Sequence, residues 1–190
     1  MDSVFQSYIE YLPKEPVINR YGKIESIFRV SENSTQKLRP IYYGIFRTEI
    51  ESIWRQHQLE INDINKDLKK FDFNKISTFD RPIEEGKFME IFSTNYCSIK
   101  NDLKTKKINH FQFGIDITKR ETGEFVKRIL EFANQRNFIL LGSNLKTFEP
   151  TEEGIDEYFR NSPAYKMIKE EEAFIKRVES GKEKMDVPFI

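Results

Sequence analysis

The sequence predicts an α+β protein in which a helical N-terminal half packs against a small sheet formed by the C-terminal half. Two patterns of apolar residues indicate this fold class. Apolar residues recur near every 3.5 positions over residues 41–71 and again over residues 83–105, which is the spacing of packed helices. Over residues 110–117 apolar and polar residues alternate instead, as they do in a β-strand with one buried face.

Residues 41–71 predict one long helix, because they contain no proline and a single glycine. Such a helix would be about 46 Å long at 1.5 Å per residue, which is more than a compact domain needs, so it must lie against another helix. Residues 83–105 continue the same spacing, and we expect an antiparallel helical hairpin that turns near residues 73–80. His57 lies on the apolar seam of this hairpin, where we expect it to be shielded and structural.

The first forty residues are divided by Pro13, Pro16 and Pro40. The apolar residues between positions 4 and 12 have helical spacing. The pattern of residues 16–30 fits both a helix and one face of a strand, and of the two we favour a helix.

The second half predicts a β-α-β-β unit followed by helices. The unit consists of a strand from about residue 109, a helix over 121–135, a buried strand at 138–141 and its hairpin partner at 145–149. Helices are then expected after Thr151, after Ser162 and around residues 170–180. We expect one domain over residues 1–180, with a helical half at 1–107 and a sheet-containing half at 108–180, and a flexible tail at 181–190.

Composition narrows the classes of function. Lys plus Arg and Asp plus Glu are equal at 31 each, so the chain lacks the basic excess typical of nucleic-acid binders. Cys97 is the only cysteine, which excludes an intrachain disulfide and fits a reducing compartment. No signal-like N-terminus and no apolar run long enough for a membrane span are present. We therefore expect a soluble, cytoplasmic protein.

Candidate chemistry is sparse. With two histidines and one cysteine, the chain offers no histidine-rich or cysteine-rich metal site, and no cofactor motif is present, so we predict no metal and no cofactor. Cys97 is expected mid-helix as a buried structural residue. His110, Gln112 and Asp116 share one face of the predicted strand, where they would form a ligand pocket in an enzyme or, as alternation predicts in any case, a solvated face.

An acidic segment is the other feature that indicates function. It consists of five carboxylates within nine residues at a predicted helix N-terminus, with Thr151 as the expected N-cap: Glu149, Glu152, Glu153, Asp156 and Glu157. Such a cluster is suited to a basic protein partner, because complementary charge increases both the association rate and the specificity. These five residues are the predicted partner-binding site.

The β-α-β-β part of the chain also resembles a known class of protein. The stretch His110-Phe111-Gln112-Phe113-Gly114-Ile115-Asp116-Ile117, the helix ending Leu130-Glu131-Phe132-Ala133, and the Phe138-Ile139-Leu140-Leu141 strand resemble small units in cytosolic immunity proteins of bacterial polymorphic-toxin systems. The resemblance extends over about residues 109–178. It implies a cytosolic protein that neutralises a toxin by covering its active surface.

The function expected from the sequence is therefore non-catalytic protein binding, and the resemblance implies an immunity protein. Two alternatives stay open. One is an enzyme with a pocket around His110, Gln112 and Asp116. The other is an assembly protein that forms a homodimer through the long helix.

Overall fold

A computed structural model describes residues 6–22, 49–70, 76–78, 95–102, 104–144 and 146–182. These residues form a mixed fold of helices and one sheet, so the predicted α+β class is confirmed. The strands are β1 (Gln6–Pro13), β2 (Ile76–Thr78), β3 (Tyr96–Asn101), β4 (Ile108–Asp116), β5 (Phe138–Gly142) and β6 (Thr147–Phe148). The helices are α1 (Lys14–Tyr21), α2 (described over residues 49–57), α3 (Ile61–Lys70), α4 (Thr122–Gln135), α5 (Glu152–Asn161), α6 (Pro163–Lys169) and α7 (Glu171–Glu179).

The strand order across the sheet is β2-β3-β4-β1-β5-β6. All neighbouring pairs are antiparallel except β2 and β3, which are parallel. The N-terminal strand β1 therefore lies in the middle of the sheet, between β4 and β5. The predicted β-α-β-β unit and the three helices after it are present as β4-α4-β5-β6 and α5-α6-α7.

The helix predicted from the spacing of residues 4–12 is wrong, because residues 6–13 form strand β1. A central strand that is buried on both faces has apolar residues on both, so the alternation that marks a strand is lost. Tyr8 and Leu12 point to one face of the sheet and Ile9 and Tyr11 to the other, yet each is at most 1% exposed. In residues 16–30 the preferred helix is found as far as Tyr21, and residues 23–30 lie outside the described residues.

The long helix over 41–71 is interrupted. Residues 49–57 and 61–70 are helical, but Gln58 has a left-handed φ of 56° and ends the first helix. The backbone beyond it pairs with the start of β4, since Ile108 N donates to Leu59 O at 2.8 Å and Ile61 N donates to Lys106 O at 3.0 Å. These contacts between distant parts of the chain divide a segment whose spacing alone favours one helix. Residues 41–48 and 71–75 lie outside the described residues.

The second arm of the predicted hairpin is also wrong where it is described. Residues 96–101 form strand β3, which pairs with β4, and residues 79–94 lie outside the described residues. Cys97 is buried as expected, but it lies in this strand opposite Phe113 and not in a helix. Apolar residues four positions apart in the sequence, such as Ile99 and Leu103, fit one face of a strand as well as one face of a helix, so the short segment was ambiguous.

Tyr11 is the centre of the hydrophobic core. Its ring lies 4.8 Å from that of Phe111, 4.6 Å from Phe113, 5.7 Å from Phe132 and 5.4 Å from Phe138, measured between ring centroids. Its hydroxyl donates to the carbonyl of Ile129 in α4 at 2.6 Å. Burial raises the pKa of this phenol well above its usual value, with a smaller contribution from Cys97. Strand β1 and helix α4 are thereby joined by both packing and a buried hydrogen bond.

Helix α2 packs on the same core. Trp54 is fully buried, with its ring centroid 5.4 Å from that of Phe138 and 6.5 Å from that of Phe111. His57 ends the helix half-buried, with its ring beside those of Trp54 and Phe138. His57 therefore packs against a strand residue and its own helix, and not on a seam between two long helices as predicted.

Gly142 and Gly123 form a matched pair for testing the packing of α5 on the sheet. A Cβ at Gly142 would lie 2.8 Å from Tyr158 Cδ2, and the Tyr158 hydroxyl is held by Tyr8 O at 2.7 Å, so the ring cannot withdraw without breaking that bond. We expect Gly142→Ala to lower the free energy of unfolding by about 1–3 kcal/mol through overpacking. Gly123 in α4 has no atom within 4 Å of such a Cβ, and Gly123→Ala should raise it by about 0.5–1 kcal/mol. Urea unfolding of both variants measures the change in the free energy of unfolding. Equal changes in the two variants would contradict the prediction.

His57 should make stability depend on pH. Burial lowers its pKa, Glu15 raises it and Arg136 lowers it, with a net direction below the usual value. Because the pKa of His57 is lower in the folded chain, the unfolded chain binds a proton at a higher pH, near about 6.5. The contribution of neutral His57 to the free energy of unfolding is therefore present above that pH and is lost as the pH falls below it. We expect the loss of unfolding free energy between pH 7.5 and pH 5.5 to be smaller in His57→Gln than in the parent. An identical loss in both proteins would show that His57 does not contribute.

Candidate functional site

One face of the sheet carries a buried row of polar residues. His110, Gln112 and Asp116 occupy alternate positions of β4 and so share a face, as predicted. The strand register places Glu10 of β1 on one side of Gln112 and Ser98 of β3 on the other. Three adjacent strands thus contribute polar side chains to the same part of the sheet.

Glu10, His110 and Gln112 are in direct contact, and we call them the Glu10 cluster. His110 Nδ1 lies 2.9 Å from Glu10 Oε1, and His110 Nε2 lies 3.0 Å from Gln112 Oε1. Glu10 is 0% exposed, Gln112 3% and His110 8%. The predicted solvated strand face is therefore wrong, because the face is covered in the folded chain.

The carboxylate of Glu10 is poorly satisfied. Among the described residues, neither of its oxygens has a partner in hydrogen-bond geometry, although Glu10 Oε1 lies 2.9 Å from His110 Nδ1. Burying a carboxylate costs several kcal/mol unless donors replace the lost water. Buried polar groups in proteins nearly always have such partners. Glu10 is consequently the most unusual polar group of the described sheet.

Asp116 does not belong to this cluster. Its Oδ1 accepts hydrogen bonds from the backbone N and the hydroxyl of Thr118 at 3.0 and 2.6 Å, and its own backbone N donates to Asn95 Oδ1 at 2.7 Å. It lies about 20 Å along the strand from His110, at ~3.3 Å per residue. The three residues proposed as a pocket therefore do not converge, and Asp116 instead fixes the turn that leads into α4.

Glu10 was missed at the sequence level because residues 4–12 were interpreted as helical, and a helix would not place Glu10 beside β4. The pairing of β1 with β4 spans more than a hundred residues, and no local pattern encodes it. One signal was available. Glu10 is a single carboxylate inside the apolar stretch Tyr8-Ile9-Glu10-Tyr11-Leu12, which indicates a carboxylate carried into the interior.

The acidic segment is built as expected on helix α5. Thr151 is the N-cap and its hydroxyl accepts a hydrogen bond from Gly154 N at 3.1 Å. Ile155 and Tyr158 are buried on the inner side. The carboxylates at positions 152, 153, 156 and 157 are all exposed. The four carboxylates therefore lie on the exposed side of a helix whose inner side is packed on the core.

Glu149 differs from the other four acidic residues. Both of its carboxylate oxygens accept hydrogen bonds from Lys14 Nζ, at 2.7 and 3.0 Å. This ion pair joins the segment before α5 to the start of α1. Glu149 therefore forms an ion pair within the chain. Within the part of the chain that the structure describes, the ion pair of Asp156 is a long, exposed contact of 3.8 Å with Arg160.

Other candidates for chemistry are limited. Among the residues that the structure describes, no group of three or more His, Cys, Asp and Glu side chains is arranged to hold a metal ion. Burial raises the pKa of the Cys97 thiol far above its usual value, which opposes formation of a nucleophilic thiolate. Within the same residues, no helix combines the length and the apolar character that crossing a membrane requires.

Comparisons with protein-family models, with curated proteins and with solved structures found no match to this chain.

Proposed function

We propose that this protein binds a basic protein partner through the exposed carboxylates of α5, most concretely as a cytoplasmic immunity protein that covers the active surface of a bacterial toxin. The observation that carries this proposal is the arrangement of Glu152, Glu153, Asp156 and Glu157. All four are exposed on a helix whose opposite side is anchored in the core by Ile155 and Tyr158. A rigid row of like charges has little cost in conformational entropy when it meets a complementary surface.

The four exposed carboxylates of α5 support binding of a basic partner more than they support stability of the fold. Four carboxylates within six residues repel one another in the free protein, and an exposed i, i+4 pair such as Asp156 with Arg160 is worth little. The helix dipole favours Glu152 and Glu153 in the first turn by ~0.3–1 kcal/mol each, which explains two of the four. A basic partner supplies the counter-charge for all of them and accelerates the encounter.

The assembly alternative has less support. The apolar residues of the described seam, Ile50, Ile53, Ile61 and Ile64, belong to the core of the same chain. They are therefore already covered and do not offer a surface for a second copy.

The enzyme alternative retains a single specific observation, the contact of Glu10 with His110. A carboxylate next to an imidazole is a common acid-base arrangement. In this protein, however, the carboxylate is fully buried, and the imidazole Nε2 that would act on a substrate is engaged by Gln112. We therefore place this alternative second.

Charge reversal on α5 tests the proposal. Changing Glu152, Glu153, Asp156 and Glu157 to Lys should slow association with the partner by at least tenfold and weaken the salt dependence of the rate. The partner is isolated by pull-down from the native organism, and association is followed by surface plasmon resonance at several salt concentrations.

A matched control separates the site from net charge. Glu121, Glu124, Glu131 and Glu179 are also exposed, and their reversal changes the net charge equally and also removes acidic residues near a helix N-terminus. This control variant should retain the parent association rate to within a few-fold. If both variants bind alike, or if the α5 variant binds as the parent does, the acidic segment is not the interface.

Replacement of His110 separates binding from catalysis. We expect His110→Ala to keep partner binding, and protection against the toxin, within a few-fold of the parent, because His110 lies in the sheet and not on the acidic face of α5. Thermal unfolding is measured in parallel to show that the fold persists. A loss of a thousandfold or more in a folded variant lies in the range of an acid-base residue and would favour the enzyme.

A further inference from the structure

His57 lies where the end of α2 meets the start of β5. It is the last residue of α2, and Gln58 after it has a left-handed φ of 56°. The centroid of the His57 ring lies 5.8 Å from that of Phe138, the first residue of β5, and 6.2 Å from that of Trp54. Both ring pairs are edge-on, with interplanar angles of 76° and 66°. The half-buried imidazole therefore joins the last turn of α2 to the sheet.

The last turn of α2 is anchored on both sides, but its inner side is held by ring packing. Before the turn, Arg20 of α1 forms an ion pair with Glu49 at 2.8 Å. After it, Ile108 N donates to Leu59 O at 2.8 Å. Between these anchors Trp54 is fully buried, and among the described residues its indole Nε1 has no hydrogen-bond partner. The turn can therefore open without separating either anchor from the fold.

Charged residues lie on every described element that meets at His57. They are Lys14 and Glu15 of α1, Glu51 and Arg55 of α2, Glu60 before α3, Asp63 and Asp67 of α3, Lys107 before β4, and Arg136 after α4. Burial lowers the pKa of His57, Glu15 raises it and Arg136 lowers it, and the net direction is below the usual value. The C-terminal end of α2 favours a cation, as Glu15 does. A charge on the imidazole is therefore disfavoured while the ring stays packed.

We propose that His57 is a pH-sensitive switch, whose protonation releases the turn at residues 54–58 from the start of β5 while the sheet stays folded. In the open turn the imidazole is in water, where it binds a proton at its ordinary pH, near about 6.5. The closed turn is therefore favoured above that pH, and the open turn gains population as the pH falls below it. The switch does not depend on the binding proposed for α5, which is a different helix.

Trp54 is the only tryptophan of the chain, so quenching of its fluorescence by acrylamide reports the opening of this turn. We expect weak quenching at pH 7.5 and a severalfold stronger quenching at pH 5.5. In His57→Gln, whose side chain stays neutral, quenching should be the same at both pH values. No increase in the parent protein, or an equal increase in the variant, would overturn the proposal.

Two charge variants should move the midpoint of this transition in opposite directions. Arg136→Gln removes a cation that disfavours protonated His57, so the midpoint should move to higher pH. Glu15→Gln removes an anion that favours it, so the midpoint should move to lower pH. Glu15 is exposed, so this second variant tests the switch without a change in the core.

The matched control is Arg160→Gln, which removes one exposed positive charge from α5. It should leave the midpoint where the parent protein has it. Shifts of Arg136→Gln and Glu15→Gln in the same direction, or a shift in Arg160→Gln as large as theirs, would show that net charge and not His57 sets the transition.

Hydrogen exchange of the parent protein separates local opening from global unfolding. Gln58 N donates to Trp54 O at 3.2 Å, so this amide is protected while the turn is closed. Between pH 7.5 and pH 5.5 its protection factor, corrected for the intrinsic effect of pH, should fall severalfold. Amides in the ladder between β1 and β4 should keep theirs. An equal fall at Gln58 and in the ladder would show that acid unfolds the whole protein, which would overturn the proposal.

Discussion

The fold depends on the insertion of β1 between β4 and β5. This strand comes from the N-terminus, yet it forms ladders with two strands from the second half of the chain and occupies the centre of the sheet. Tyr11 then connects the sheet to α4 through four aromatic contacts and its hydrogen bond to Ile129. Without β1, β4 and β5 would be two separate edges, so the halves expected from the sequence are not independent units.

The same insertion buries the polar residues of the Glu10 cluster. A central strand has no solvent-exposed face when both sides of the sheet are covered, so successive residues of β1 are buried on alternate faces of the sheet. Glu10 is one of these residues, and the register brings it against Gln112 and His110. Its buried charge is a cost that a purely structural strand would avoid with an apolar residue.

Helix α5 differs from the Glu10 cluster because its carboxylates are exposed to solvent. Its carboxylates stay in water, where each costs little, and its apolar side makes the contacts that fix its position, including the hydrogen bond from the Tyr158 hydroxyl to Tyr8 O. The two groups of polar residues therefore differ in their access to solvent, because the carboxylates of α5 are exposed and the Glu10 cluster is buried in the sheet.

The sequence by itself determined the elements whose signals are local. The alternation in β4, the apolar spacing of α4, the N-cap Thr151 and the outward carboxylates of α5 follow from neighbouring residues, and the structure has each of them. Only the tertiary structure decided the elements that depend on distant partners. Strand β1 is a strand because β4 and β5 complete its hydrogen bonds, and the helix over 41–71 is divided because Leu59 and Ile61 bond to the backbone beside β4. The Glu10 cluster belongs to this second class, since a carboxylate and an imidazole a hundred residues apart meet only through a register that no local spacing contains.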